Sequence, residues 1–488
     1  MSLKSKIQKY FENKCVFMTG GTGLVGSLLI EKFFRSCPEV GNIYVLIREK
    51  KNVSHQERIE EICSQPIFDN IKKHNPTILR KLVAINGDLE KPNLGMNVED
   101  WDHLIKEVNC ILHVGAAVKF SSPLSLAFKS NVVGTMEITR LAKQAKNLEA
   151  FVYVSSTYAH CYIDVVEEIF YTSSITSETL FLLMNEVGVE KFDQMSSIFL
   201  DKFPNAYTYS KYLTEDFLRR NAEGLPLAIL RPSIVCTTLN EPFPGWGNHF
   251  HSYSNFVTGF ATGLVHVLMS KPNCILDIVP ADVVVNHIIA VTWELGSTRN
   301  SMNNCTLIYN CGTSCENPLT MQRFEELLDK YEAVFPTNKK FWHRFVCVST
   351  SRSIRYLFYL IQFLQMYLLD FVSLILKKPQ IYCKIYKKSH YLMDLTAYFT
   401  KKSWVFKTHN RKRLWEKLED ADKKIFNFDI SHMDWELLMS NSVKGIRYYF
   451  LKEDPKTMPK AQIKRHSLRI LHYFLFFTPG IIVLLALY

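Results

Sequence analysis

The sequence predicts an α/β protein with a doubly wound parallel sheet, followed by a mainly helical carboxy-terminal module and a carboxy-terminal membrane segment. Three observations support this. Between residues 10 and 330 short apolar strands alternate with helical stretches, the pattern of a parallel sheet covered on both faces. A glycine-rich turn separates the first strand from the first helix. From about residue 380 the strands stop, and the chain ends in an uncharged apolar run.

The first strand, Cys15-Val-Phe-Met-Thr19, runs into Gly20-Gly-Thr-Gly23-Leu24-Val25-Gly26 and then a helix. In such a strand–turn–helix, Gly20 allows the tight turn, Gly23 lets backbone approach a pyrophosphate, and Gly26 permits close helix–strand packing. The phosphates sit on the helix N-terminus. Thr19, Gly20, Gly23, Leu24, Val25 and Gly26 are therefore candidate contacts of a dinucleotide. Asn42–Ile47 reads as the second strand and is followed by Arg48-Glu49-Lys50-Lys51. A site for NAD places an acid here, whereas Arg48 and Lys50 suit a 2′-phosphate, so NADPH is the expected cofactor. Glu49 would serve NAD if it, rather than Arg48, ended the strand. Further strands are expected in Val83–Asp88, Cys110–Gly115, Phe151–Ser155 and Leu227–Pro232.

Tyr207 and Lys211 lie four apart in Pro204-Asn-Ala-Tyr-Thr-Tyr-Ser-Lys211 and share one helix face if Asn205 caps a helix. An ammonium beside a phenol favours phenolate and draws its pKa down from about 10. The pair suggests proton transfer; Tyr209 and Tyr212 do not stand four residues before Lys211.

Twelve scattered cysteines, with no CxxC pair and no His/Cys spacing of a zinc site, point to a reducing compartment and no metal. The net charge of +11 comes without a basic run interleaved with aromatics, so nucleic acid is not the expected partner. Instead Lys456, Lys460, Lys464, Arg465 and Arg469 lead into the apolar tail 470–488. That tail is long enough to span a bilayer, with a cytosolic amino-terminal side set by the basic flank. Pro479 and Gly480 leave room for a kink or a hairpin. A second apolar segment, 356–376, carries Gln362, Gln365 and Asp370, which argue against a simple lipid-exposed span. An interfacial helix or a lipid-facing wall of the substrate site is the preferred reading. Residues 380–455 read as a separate helical module.

The glycine turn with Tyr207 and Lys211 resembles the extended short-chain dehydrogenase/reductase superfamily, whose nucleotide domain is of Rossmann type. Leu225-Pro-Leu-Ala-Ile-Leu-Arg-Pro-Ser-Ile-Val235, Glu241-Pro-Phe-Pro-Gly-Trp246, Asp277–Asn286 and Tyr309-Asn-Cys-Gly narrow the resemblance to the alcohol-forming fatty acyl-CoA reductases. Phe426–Ile430, Asp434-Trp-Glu436 and Gly445-Ile-Arg-Tyr-Tyr extend it through the carboxy-terminal module. The resemblance implies NADPH-dependent reduction of a long-chain fatty acyl-CoA to a primary alcohol at a membrane, peroxisomal or endoplasmic-reticulum, with the catalytic part facing the cytosol. It implies Tyr207 as proton donor, Lys211 as its pKa-lowering partner and ribose contact, and Ser156 as a second oxyanion donor where the family has threonine. Ser155 and Thr157 stay open as rivals. It also implies Asp88 at the adenine, Gly115, Ala116 and Ala117 lining the cofactor, Asn131 as a structural residue, and Arg231-Pro232 near the nicotinamide. A membrane-bound sterol dehydrogenase or isomerase and a non-catalytic cofactor-binding scaffold are the competing readings.

Overall fold

The computed structural model describes residues 5–50, 53–247, 252–298 and 306–486, without the side chains of 252 and 476–486. Seven strands form the central sheet: β1 (Val16–Thr19), β2 (Ile43–Ile47), β3 (Leu82–Asn86), β4 (Cys110–His113), β5 (Ala150–Val154), β6 (Leu227–Pro232) and β7 (Leu307–Cys311). Their order is β3-β2-β1-β4-β5-β6-β7, and every pairing is parallel. Six coincide with the predicted strands. The seventh extends the sheet, with Leu307 opposite Ala228 and Cys311 opposite Pro232. The strand order reverses between β1 and β4, and a ligand crevice opens at the carboxyl ends of such a pair.

Alternating side chains build a core on each face of this sheet. Val16, Met18, Val45 and Leu112 point to one side, against helices Leu24–Ser36 and Ala281–Thr298. Phe17, Leu46, Ile111 and Phe151 point to the other, against Ile138 and Leu141 of helix Gly134–Gln144 and Phe217 and Leu218 of helix Ala206–Asn221.

The carboxy-terminal module is not separate. Leu414, Leu418, Phe426, Phe428 and Ile430 lie in the same core as β1 and β2. Nor is it strandless, because Val405–Phe406 pairs in parallel with Val165–Val166. Its short helices carry apolar stripes too small to close on one another, so they complete the core beside the sheet. At the other end of the chain, the Ile7 amide donates to Asp422 at 3.1 Å.

Helix Arg352–Ile375 forms a hairpin with helix Tyr382–Thr400, joined where Asp370 accepts from the amides of Tyr382 and Cys383, both at 2.9 Å. Gln362 is buried and bonds His266 and Tyr386. The polar side thus turns inward, while Leu357, Leu360, Leu364 and Leu368 are each more than half exposed. This helix is long and apolar enough to cross a membrane. Helix Met458–Ala486 continues unbroken through Pro479 and Gly480, so its backbone forms no hairpin. The side chains of residues 476–486, and Leu487 and Tyr488 altogether, lie outside the described residues.

Candidate active site

The carboxyl ends of β1, β4, β5 and β6 bring the predicted residues together. Gly20 has φ +77°, and a Cβ there would stand 2.6 Å from the Gly115 nitrogen, so two strand-end turns meet backbone to backbone. A Cβ on Gly26 would fall 2.2 Å from the Gly20 carbonyl oxygen. Gly23 differs. Its φ is −80°, it is exposed, and a Cβ would meet only the Gly20 carbonyl oxygen, at 3.3 Å. Protein packing asks less for glycine there than at the other two positions. Gly23 also caps helix Leu24–Ser36 without a side-chain hydrogen bond, leaving first-turn amides free for an anion. This cradle fits a nucleotide pyrophosphate.

Thr19 ends β1 and accepts from the Gly115 amide at 2.9 Å, while its hydroxyl meets His113 Nδ1 at 2.7 Å. Burial lowers the His113 pKa to about 3, so the ring is neutral and bonds Thr135 through Nε2 at 2.9 Å. Asn131 receives the Ala117 amide at 2.7 Å and donates to the Ala117 carbonyl at 3.1 Å and to Ser210 at 2.8 Å. It thereby ties the Gly115-Ala116-Ala117 turn to the helix carrying Tyr207, a structural role.

Asn205 caps that helix by accepting from Thr208 N at 3.0 Å, which puts Tyr207 and Lys211 on one face. Their electrostatics differ from the sequence expectation. Burial raises the Tyr207 phenol to about 12, and the group opposing the rise is Ser156, not Lys211. Lys211 instead donates to the Val154 carbonyl at 2.7 Å and lies over the Tyr153 ring, 4.7 Å from its centre. Burial lowers Lys211 to about 7, with Glu215 pulling the other way. The phenol is thus held as a neutral acid at physiological pH.

The three hydroxyls after β5 separate by their partners. Ser155 donates to Glu215 at 2.5 Å, and the Thr157 hydroxyl, fully buried, points to the Pro232 carbonyl at 3.4 Å. Ser156 accepts from Tyr158 N at 3.2 Å, and of the three it is the hydroxyl that opposes the rise in the Tyr207 pKa. Pro232 supplies the carbonyl that also faces Ser156, at 3.5 Å. Arg231 does not face the crevice: it is fully buried, binds Glu215 through Nε and Nη2, and reaches the carbonyls of Glu167 and Ile169.

At the other end, β2 stops at Ile47, so Arg48 and not Glu49 is the first residue beyond it. Arg48 is more than half exposed and lies 3.6 Å from both Asp88 and Glu90. Asp88 also caps a turn by accepting from Glu90 N at 3.1 Å. Glu49 turns toward His55 and Asn86, and Lys50 is exposed.

Two groups escaped the sequence reading. Glu215 stands one further turn along the Tyr207–Lys211 face, and that spacing was visible. The Phe120 ring stacks on Tyr207 with centres 5.8 Å apart, and Phe399, from the last turn of the hairpin helix, meets Phe120 at 5.3 Å. No local pattern joins residues 120 and 399.

A family model described as male sterility protein matches residues 18–288, and a second of the same description matches 361–453. Fatty acyl-CoA reductase wat of Drosophila melanogaster is 34% identical over 471 residues, covering 96% of this chain and 90% of that protein. The chain belongs to the fatty acyl-CoA reductase family. Fatty acyl-CoA reductase 1 of Rattus norvegicus is 33% identical over 468 residues, with the same coverage of each chain. Among solved structures, the terminal reductase domain of a myxalamid biosynthetic pathway aligns with a TM-score of 0.58 at 18% identity, over 89% of this chain and 90% of that one. This likeness concerns the fold. Membership of the family makes the protein an oxidoreductase with a nicotinamide-binding domain, as the resemblance implied.

Proposed function

We propose that this fatty acyl-CoA reductase uses NADPH to convert a long-chain acyl-CoA to the primary alcohol and free CoA, at the face of a membrane. The observation that carries the reading is the placement of Tyr207, set by the Asn205 cap on a helix beside the end of β5 and the glycine cradle, with an aromatic wall leading from it to the apolar hairpin.

Thr19, Gly20, Gly23, Leu24, Val25 and Gly26 would hold the pyrophosphate, Gly115, Ala116, Ala117 and Pro232 would line the inner crevice, and Asp88 would flank the adenine. Arg48, first beyond β2, supports a 2′-phosphate and hence NADPH over NADH, with Lys50 beside it. When bound, the cofactor supplies hydride to the carbonyl carbon. Tyr207 and Ser156 donate hydrogen bonds to the carbonyl oxygen as its charge develops, where fixed donors matter most. The proton of Tyr207 passes to that oxygen, giving a hemithioacetal. Breaking its C–S bond releases CoA thiol and leaves an aldehyde. After exchange of the spent cofactor for a second NADPH, another hydride would reach the aldehyde carbon. Tyr207, reprotonated from solvent, would give its proton to the oxygen, yielding the alcohol, a precursor of wax or ether lipid. Lys211, held by the Val154 carbonyl, would meet the cofactor ribose.

The membrane reading rests on the exposed leucines of helix Arg352–Ile375 and on the basic approach to the tail. Each Leu moved from water into hydrocarbon is worth about 1.5–3 kcal/mol. A cytosolic catalytic part on peroxisomal or endoplasmic-reticulum membrane is the proposed arrangement. Chromatography of products after incubation with acyl-CoAs of several lengths tests the chemistry: alcohol with NADPH and little with NADH is expected, and a product that stops at aldehyde would overturn the second reduction.

A further inference from the structure

Beneath the catalytic face lies a buried charge cluster that the reaction above does not use. Glu215 is fully buried, and Arg231 binds it with Nε at 3.0 and 3.1 Å and Nη2 at 2.5 Å. His160 Nε2 meets the same carboxylate at 2.9 Å, and Ser155 donates to it at 2.5 Å. Four chain segments thus converge on one carboxylate: the catalytic helix, the end of β5, the turn Thr157–His160 and β6. An ion pair of this kind costs several kcal/mol of desolvation per charge, and well-packed apolar residues often do as well for stability. Fold stability alone therefore gives weak reason for it.

We propose that Glu215, clamped by Arg231 and His160, is a positioning residue: it fixes Ser155, and with it the Ser156 donor one residue on, and its carboxylate stands one helical turn beyond Lys211 as the counter-charge on that face. Both effects follow from placement. Ser155 N donates to the Leu230 carbonyl at 2.7 Å and Ser155 Oγ to Glu215, so the peptide leading into Ser156 is pinned from both sides. Lys211 precedes Glu215 by one helical turn on the same face. Around Lys211 the other titratable groups are Tyr207 on its own helix, Tyr153 from β5 and His113 from β4, whose neutral ring Lys211 itself helps to keep unprotonated. Arg231 from β6 and His160, whose pKa burial lowers, reach this region through Glu215. Among them Glu215 is the group that favours the charged lysine.

The inference rests on the reductase reading for its turnover arm. Its second arm, the pH dependence of NADPH binding followed by cofactor fluorescence, requires no acyl substrate. In the full-length enzyme Glu215→Gln is expected to move the alkaline limb of both profiles down by ~1 pH unit or more, because Lys211 then loses its proton sooner. Glu215→Asp is expected to restore the limb while turnover stays below wild type, since the carboxylate no longer reaches Ser155. If Glu215→Gln does not fold with Arg231 uncompensated, Glu215→Gln/Arg231→Gln removes the opposed charges together; its limb is expected to move less, while turnover falls because Ser155 loses its carboxylate partner. An unshifted limb in folded Glu215→Gln overturns the charge assignment. Full turnover in Glu215→Asp or in the double variant overturns the positioning of Ser156. Wild-type enzyme that binds NADPH with the expected limb yet reduces no acyl-CoA refutes the substrate reading and leaves this one standing.

Discussion

Two helices of this protein reverse the usual partition of side chains, in opposite directions. Helix Ala206–Asn221 buries Lys211, Glu215 and Asp216, residues that ordinarily stay in water. Helix Arg352–Ile375 exposes Leu357, Leu360, Leu364 and Leu368 and turns Gln362 inward. The first reversal places charges where a low dielectric strengthens their interactions; the second leaves a stripe of apolar surface uncovered. Phe399, on the helix paired with the second, meets Phe120 over Tyr207 and joins the two.

The sharpest way to break the contrast is Tyr207→Phe, expected to lose ~10²–10⁴ in turnover while NADPH binding by fluorescence titration survives. Undiminished alcohol formation would remove the helix from the chemistry. Ser156→Ala is expected to cost ~10²–10³ if it supplies an oxyanion donor. Replacing Leu357, Leu360, Leu364 and Leu368 together by lysine tests the other helix: vesicle binding of the full-length protein should fall ~100-fold or more, with turnover in detergent largely kept. Unchanged vesicle binding would assign all membrane contact to the tail. Arg48→Ala should weaken NADPH ~10-fold and leave NADH unchanged, as loss of a charge-assisted phosphate contact would. The smallest effect is in pH. Lys211, depressed to about 7 by burial, is an ammonium below that pH and loses its proton as pH rises through it, so kcat/KM for NADPH turnover should decline on the alkaline side of neutrality.

The central sheet was legible because parallel strands buried on both faces read as continuous apolar runs, and because Gly20 and Gly26 each satisfy a contact no other residue permits. β7, Leu307–Cys311, is a short run without an alternating pattern to mark it. The Tyr207–Lys211 pair was legible through spacing, but its electrostatics were not. Spacing cannot say that Lys211 turns to a strand carbonyl or that burial outweighs it at the phenol. Likewise the partners that tell Ser155, Ser156 and Thr157 apart are Glu215 and Pro232, across bonds that span 60 or more residues in sequence. The packing of the module onto the sheet is not visible in its sequence, because its helices look self-sufficient, whereas Phe428 and Ile430 find their apolar surroundings beside β1 and β2.

That shared core sets a schedule for biosynthesis. The strands that cradle the nucleotide are made first, yet the layer beside them is closed by Phe426, Phe428 and Ile430, and Asp422 holds the backbone near the amino terminus. A ribosome adds about 5–20 residues each second, so the cofactor half waits on the order of tens of seconds with part of its interior open. This layer can close only once residues 426–430 have left the exit tunnel, so the nucleotide-binding half and the carboxy-terminal module finish folding together.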